Sequence, residues 1–345
     1  MITASRTARR WGRGVLTMAL FVAAMAQAAA APPSKANIEA ALNSAYSKYR
    51  DLHEGKNADY IPALAEVDSN LFGISLVTTD GKVYTKGDVG ALFSIQSISK
   101  VFTLALVLKE AGPDAVQNNI GVDATGEVFN SIVAIEKYRG AQENPFVNPG
   151  AIATTGMVQG SADADKWTKI LQMHNDCAGR ELEVNDPVYK SEAATNQRNQ
   201  AIAWLMSAYG RIKDDPKMVT DVYTRQCAIN VNAKDLAVMA ATLADGGKNP
   251  VTKKQVLAQP LVKRVLACMA TAGLYDDSGI WLYNVGLPAK SGVGGGIIAV
   301  SPGKFGIAAF SPPLDAAGNS VRAQRAIASI SNALGGNPYD FEAGK

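Results

Sequence analysis

Histidine is nearly absent from this chain of 345 residues: His53 and His174 are the only two. A Ser-His-Asp triad would have to draw on one of them, and neither stands in a suggestive context. His174-Asn175-Asp176-Cys177 offers half a metal site with no second half elsewhere, so no metal is expected and His174 reads as the end of a surface helix. Cysteine is scarce too. Cys177, Cys227 and Cys268 permit one disulfide at most, which rules out a disulfide scaffold. An excess of one charge is also missing: 34 basic residues stand against 31 acidic ones. Four of the basic residues, Arg6, Arg9, Arg10 and Arg13, belong to the first 28 positions. Without them 30 face 31, a net charge of −1. No basic stripe remains to hold nucleic acid or an anionic membrane.

Long apolar runs are likewise few. Gly14 to Ala26 is the clearest, and it is shorter than the roughly 20 residues a membrane span needs. It follows the arginines and precedes Ala26-Gln27-Ala28, an Ala-x-Ala cleavage site. This pattern predicts a signal peptide over residues 1–28, export to the periplasm or medium, and no membrane attachment after cleavage. Residues 29–345 then form the working domain.

Ser97-Ile98-Ser99-Lys100 is the most informative stretch that is present. It opens the apolar run Val101 to Leu108, with Ser94 as N-cap and Gly112 as stop. One helical turn puts Ser97 and Lys100 on one face. An amine placed there can take the proton of a serine hydroxyl and make a nucleophile without histidine. A lysine entering a buried helix also needs a reason. Far downstream, Lys290-Ser291-Gly292-Val293 lies in a glycine-rich, strand-like segment. Its glycines would let substrate approach the backbone, and the N–H groups of Val293 and Ser97 would form an oxyanion hole. A dinucleotide loop is excluded because Ile297 stands where the third glycine would fall. No cofactor is expected.

Other candidates surround this pair. Tyr275, between a helix and the late strands, can shuttle a proton, and Tyr60 is a second candidate of that kind. Glu192 and Asn199, seven residues apart on one expected helix, would share a face. A carboxylate such as Glu192 suits an α-ammonium. Asn148, Asn199 and a tyrosine hydroxyl suit an α-carboxylate.

The coarse pattern is a helix within residues 32–66, a hairpin from 72–77 and 82–85, a mainly helical stretch from about 115 to 275, strands at 286–292, 296–300 and 305–310, and a closing helix over 321–334. The expectation is an α+β fold. A five-stranded antiparallel sheet is drawn from both chain ends and flanked by helices, with an all-helical lobe inserted. The sheet lobe covers about 36–112 and 280–340 and the helical lobe about 113–279, with the cleft between them.

With these motifs in place, the chain resembles the serine-dependent glutaminases of β-lactamase/transpeptidase-like fold, over nearly all of residues 36–335. The shared stretches include Tyr60-Ile61-Pro62, Gln96-Ser97-x-x-Lys100, Asn144-Pro145-x-Val147-Asn148-x-Gly150-Ala151-Ile152, Ser191-Glu192 through Arg198-Asn199, Tyr275-Asp276-x-Ser278-Gly279 and Val285 through Val293. The resemblance implies hydrolysis of L-glutamine to L-glutamate and ammonia through a γ-glutamyl ester on Ser97. Lys100 and Tyr275 would handle protons. Ser97, Asn148, Glu192, Asn199, Tyr223, Tyr275 and Val293 would contact substrate, and the protein would be a homo-oligomer, dimer or tetramer. Two features depart from the family: the leader, and Pro149 where a small residue is usual. A β-lactamase or D,D-peptidase would share Ser-x-x-Lys and Lys-Ser-Gly, but the chain lacks a clear Ser-Asp-Asn element. A catalytically silent amino-acid-binding protein would have no need of Ser97, Lys100 and Tyr275 together.

Overall fold

A computed structural model describes residues 32–340; the expected leader lies outside them. Seven strands occur in the described chain: β1 (Gly73–Thr78), β2 (Val83–Gly87), β3 (Phe93–Ser94), β4 (Asn230–Val231), β5 (Ala289–Gly292), β6 (Gly296–Ser301) and β7 (Phe305–Phe310). Five of them make one antiparallel sheet in the order β2-β1-β7-β6-β5. The pairing of β1 with β7 joins the two ends of the chain, with Ile74 opposite Ala309 and Leu76 opposite Ile307. The expected α+β architecture is the one found.

Side chains alternate across the sheet, and both faces are covered, so these strands read as nearly continuous apolar runs. On one face Ile74, Leu76, Ile297, Ala299, Ile307 and Ala309 pack against helices Lys35–Tyr49 and Val321–Leu334. On the other, Val77, Ile298, Val300, Ala308 and Phe310 meet helices Ser99–Ala111 and Ala233–Ala244. The closing helix is delimited as its sequence demands. Ser320 caps Ala323 N–H, Gly335 ends it at φ +58°, and Ala323, Ala326, Ile327 and Ile330 line its buried side. A separate apolar core joins helices Asn148–Met157, Gln197–Ala208 and Pro216–Cys227.

Several expectations need correction. The helix expected within residues 32–66 spans Lys35–Tyr49, stopping short of Leu52, and a single turn, Pro62–Ala65, follows a loop. The buried Arg322 guanidinium ties the end of the first helix to the segment before β1, through the Arg50, Ser69 and Asn70 carbonyls. The short β3–β4 pair was not foreseen, because two residues carry no periodicity. Helix Ala233–Ala244, inside the stretch read as helical lobe, lies on the sheet itself. His174 is fully buried, its Nδ1 2.8 Å from the Ile170 carbonyl and its ring edge-on to Phe102, not at a surface helix end. All three cysteines are buried and free. No helix among the described residues is long and apolar enough to cross a membrane.

Candidate active site

Ser97 stands just ahead of the helix and not within it. Gln96 adopts a left-handed backbone, φ +50°, and starts a single 3-10 turn, Gln96–Ile98, before the α-helix begins at Ser99. Ser94 is not its cap. It ends β3, and its hydroxyl accepts from Gln96 Nε2 at 3.2 Å. No side chain caps the Ser99–Ala111 helix; the 3-10 turn before it does so through backbone, with Ser99 N–H donating to the Gln96 and Ser97 carbonyls.

Lys100 is the second residue of that helix and is 1% exposed. Its Nζ donates to Asn148 Oδ1 at 2.7 Å and to the Phe146 carbonyl at 3.4 Å. Both acceptors are neutral, so burial dominates and pushes the amine down to about 8. Asn148 opens the helix Asn148–Met157, where Pro149 occupies a first-turn position that needs no N–H. Its Oδ1 also accepts from the Tyr223 hydroxyl at 3.4 Å, and its Nδ2 donates to Asn199 Oδ1 at 3.0 Å. Lys100, Asn148, Asn199 and Tyr223 thus form one polar network.

Glu192 lies across the cavity, 7% exposed. Its Oε2 accepts from Gln96 Nε2 at 3.2 Å. Burial raises the carboxyl to about 7, opposed by Gln96 and the Lys100 charge. Glu192 and Asn199 do not share a helix. Asn196, at φ −92° and ψ 20°, separates Asp186–Thr195 from Gln197–Ala208. The two side chains still meet the same cavity because the break turns one helix onto the next.

Tyr275 is buried in a 3-10 turn at φ +52°. Its hydroxyl has no hydrogen-bond partner of normal geometry. Burial pushes this phenol up to about 12, with the Ser97 and Ser291 hydroxyls pulling the other way. Phe129 packs on its ring at 4.9 Å. The glycines at and after the end of β5, expected to let substrate approach the backbone, instead face the chain's own backbone. A Cβ on Gly292 would lie 2.7 Å from the Ile95 carbonyl oxygen, and one on Gly294 would lie 2.5 Å from that of Ser94. This close approach seats Val293 beside the Ser97 turn.

The resulting cavity holds about 350 Å³, and Tyr60, Ser97, Asn148, Glu192, Asn199, Tyr223, Tyr275 and Val293 all line it. Every residue expected at a substrate site is therefore brought together. Tyr60 differs from the rest in being 55% exposed, so it sits at the mouth. Sequence reasoning overlooked Gln96, Phe129, Asn196 and Cys227, which share the wall. Gln96 had a signal in its place directly before Ser97; the others had none. A larger groove of about 830 Å³ near Lys248 and Lys263 has no serine in its lining to set beside those amines. Among the described residues no group of three His, Cys, Asp or Glu could hold a metal.

Comparison with known proteins agrees with this geometry. The family model described as Glutaminase matches residues 55–339. A glutaminase of Colwellia psychrerythraea is 53% identical over 307 residues, 89% of this chain and 99% of that one. The structure of a probable glutaminase, ybaS, superposes with a TM-score of 0.88 at 48% identity, covering 89% of this chain and all of that one. Mglu in its glutamate form superposes with a TM-score of 0.83 at 37% identity, covering 87% of this chain and 69% of that one. The match spans the Ser97 turn, the polar network and the late strands alike, and the chain belongs to the glutaminase family of amidohydrolases.

Proposed function

We propose that the protein hydrolyses L-glutamine to L-glutamate and ammonia through a γ-glutamyl ester on Ser97. The observation that carries this reading is the Lys100 amine: buried, close in sequence to a cavity-lining serine, bonded to neutral acceptors and depressed to about 8. Such an amine sheds its proton far more readily than an ordinary lysine, so that near neutral pH a working fraction is uncharged and able to accept a proton.

In the proposed reaction Lys100 Nζ takes the proton of Ser97 Oγ as that oxygen bonds to the γ-carbon of glutamine. The N–H groups of Ser97 and Val293 receive the oxyanion. Collapse breaks the C–N bond, and the proton passes to the departing nitrogen by way of the Tyr275 hydroxyl, releasing ammonia. Water then attacks the ester, Lys100 takes its proton, and Ser97 Oγ regains one as glutamate leaves. Glu192, ionised, holds the α-ammonium. Asn148, Asn199 and the Tyr223 hydroxyl hold the α-carboxylate. Tyr60 closes the mouth above them and assists the proton transfer. The glutamate form of Mglu supports an amino acid as ligand in this fold.

The leader composition supports export, with cleavage after residue 28 and activity in the periplasm or medium. The exposed Ile280 and Tyr283 supply apolar surface for a homo-oligomer, a dimer or tetramer. Ser97→Ala tests the chemistry. Ammonia and glutamate release should both vanish while the circular dichroism spectrum and melting curve stay unchanged; retained turnover removes Ser97 as nucleophile.

A further inference from the structure

Lys290 is fully buried and does not line the cavity. Its Nζ donates to the Gly273 carbonyl at 2.9 Å and the Ser291 carbonyl at 2.8 Å. The same nitrogen lies 4.2 Å from the centre of the Tyr275 ring. Gly273, two residues before Tyr275, is clamped a second time: Ser291 N–H donates to its carbonyl at 3.2 Å. A Cβ on Gly273 would fall 1.7 Å from the Ala289 carbonyl oxygen, so the segment is pressed flat against β5.

This clamp has work to do at Tyr275. A tyrosine at φ +52° is held in a strained conformation that persists only where its surroundings over-determine it. The Ser97 and Ser291 hydroxyls act on its hydroxyl without making a hydrogen bond of normal geometry, so the ring is fixed chiefly through its face and its backbone. Lys290 supplies both restraints: its buried nitrogen packs against the aromatic face and anchors the carbonyl just upstream. We infer that Lys290 is a positioning residue, whose amine seats the Tyr275 ring so that its hydroxyl meets Ser97, and that it does not bind a carboxylate of the substrate.

The inference rests on the reading of Tyr275 as proton carrier, and a double-mutant cycle separates the two. Tyr275→Phe should lower kcat by about 10²-fold or more, in the range of a lost general acid or base. Lys290→Met, which keeps the aliphatic stem, should lower kcat at least about 10-fold with KM within about 2-fold, because a pure transition-state contribution is lost. Added to Tyr275→Phe, it should change kcat less than about 2-fold, since the hydroxyl it positions is already gone. A full additional loss in the double variant overturns the positioning role while leaving Tyr275 in place. A raised KM in Lys290→Met overturns it in favour of a carboxylate contact. A silent Tyr275→Phe removes the proton role of Tyr275 and the inference with it. If Lys290→Met fails to fold, Lys290→Gln, which retains donors for the carbonyls, takes its place in the cycle. A crystal structure of the unaltered protein with L-glutamate gives an independent reading. Lys290 Nζ should stay on the Tyr275 ring, and its approach to within about 3.2 Å of a glutamate carboxylate overturns the assignment.

Discussion

Two residues with opposite charges are displaced toward neutrality by the same cause. Burial lowers Lys100 to about 8 and raises Glu192 to about 7. The proposed chemistry needs Lys100 uncharged and Glu192 ionised, and both conditions are met as pH rises. For the free enzyme kcat/KM should therefore climb between about pH 6 and 8.5 and then level. A profile falling across that interval would reverse the assignment. Their stability contributions oppose each other. Unfolding returns Lys100 to its ordinary value of 10.5, so the unfolded chain binds more protons between about 8 and 10.5, and this contribution grows with pH there and is lost as pH falls through 8. Glu192 is raised from 4.5, so its contribution is lost as pH rises through about 7. Replacing Glu192 by Gln keeps the shape and removes the charge. It should weaken glutamine binding by about 1–3 kcal/mol, read as a raised KM; an unchanged KM would take Glu192 out of the pocket.

At the scale of elements, the site depends on short irregular pieces more than on long regular ones. Ser97 is presented by a one-turn 3-10 segment whose first residue is a left-handed glutamine, and Tyr275 by another whose first residue is left-handed itself. Neither could be read from residue type, because glutamine and tyrosine rarely adopt that backbone. The long elements were legible. The helix over 321–334 and the last two strands follow from period and from their glycine boundaries nearly residue for residue, while the strand expected from 286 begins only at Ala289. The Glu192–Asn199 spacing led to the right cavity for the wrong reason, since continuous helical periodicity hid the break at Asn196. One close crossing deserves a test. Helix Ala233–Ala244 passes over β7 at Gly306, where an added Cβ would lie 2.1 Å from Ala241 N. Gly306→Ala should cost at least about 2 kcal/mol through overpacking against a rigid backbone, seen as a lower denaturation midpoint. Unchanged stability would mean that the helix shifts freely on the sheet.

Over the whole molecule, the sheet is closed by two strands from the beginning of the chain and three from its end, and the cavity lies where this sheet meets the helices between them. That arrangement was legible because strand signals cluster at both ends of the sequence. The burial of His174 and the packing of helix Ala233–Ala244 on the sheet were not, because both depend on which distant surfaces meet. The proposed leader over residues 1–28 carries a prediction at this scale. Expression of the full chain in a Gram-negative host should place most activity in the periplasmic fraction, with the N-terminus of the recovered protein near residue 29. Activity confined to the cytosol with residues 1–28 retained would contradict export.

The central claim is that a buried amine at Lys100 makes Ser97 Oγ the attacking atom. Peptide mapping by mass spectrometry after exposure to a γ-glutamyl diazoketone tests it most directly, because the reagent stays attached to the group that attacks it. The account predicts one label, on Ser97, and none in a Lys100→Met variant. A label on Cys227, or on any other residue with Ser97 unmodified, would contradict it.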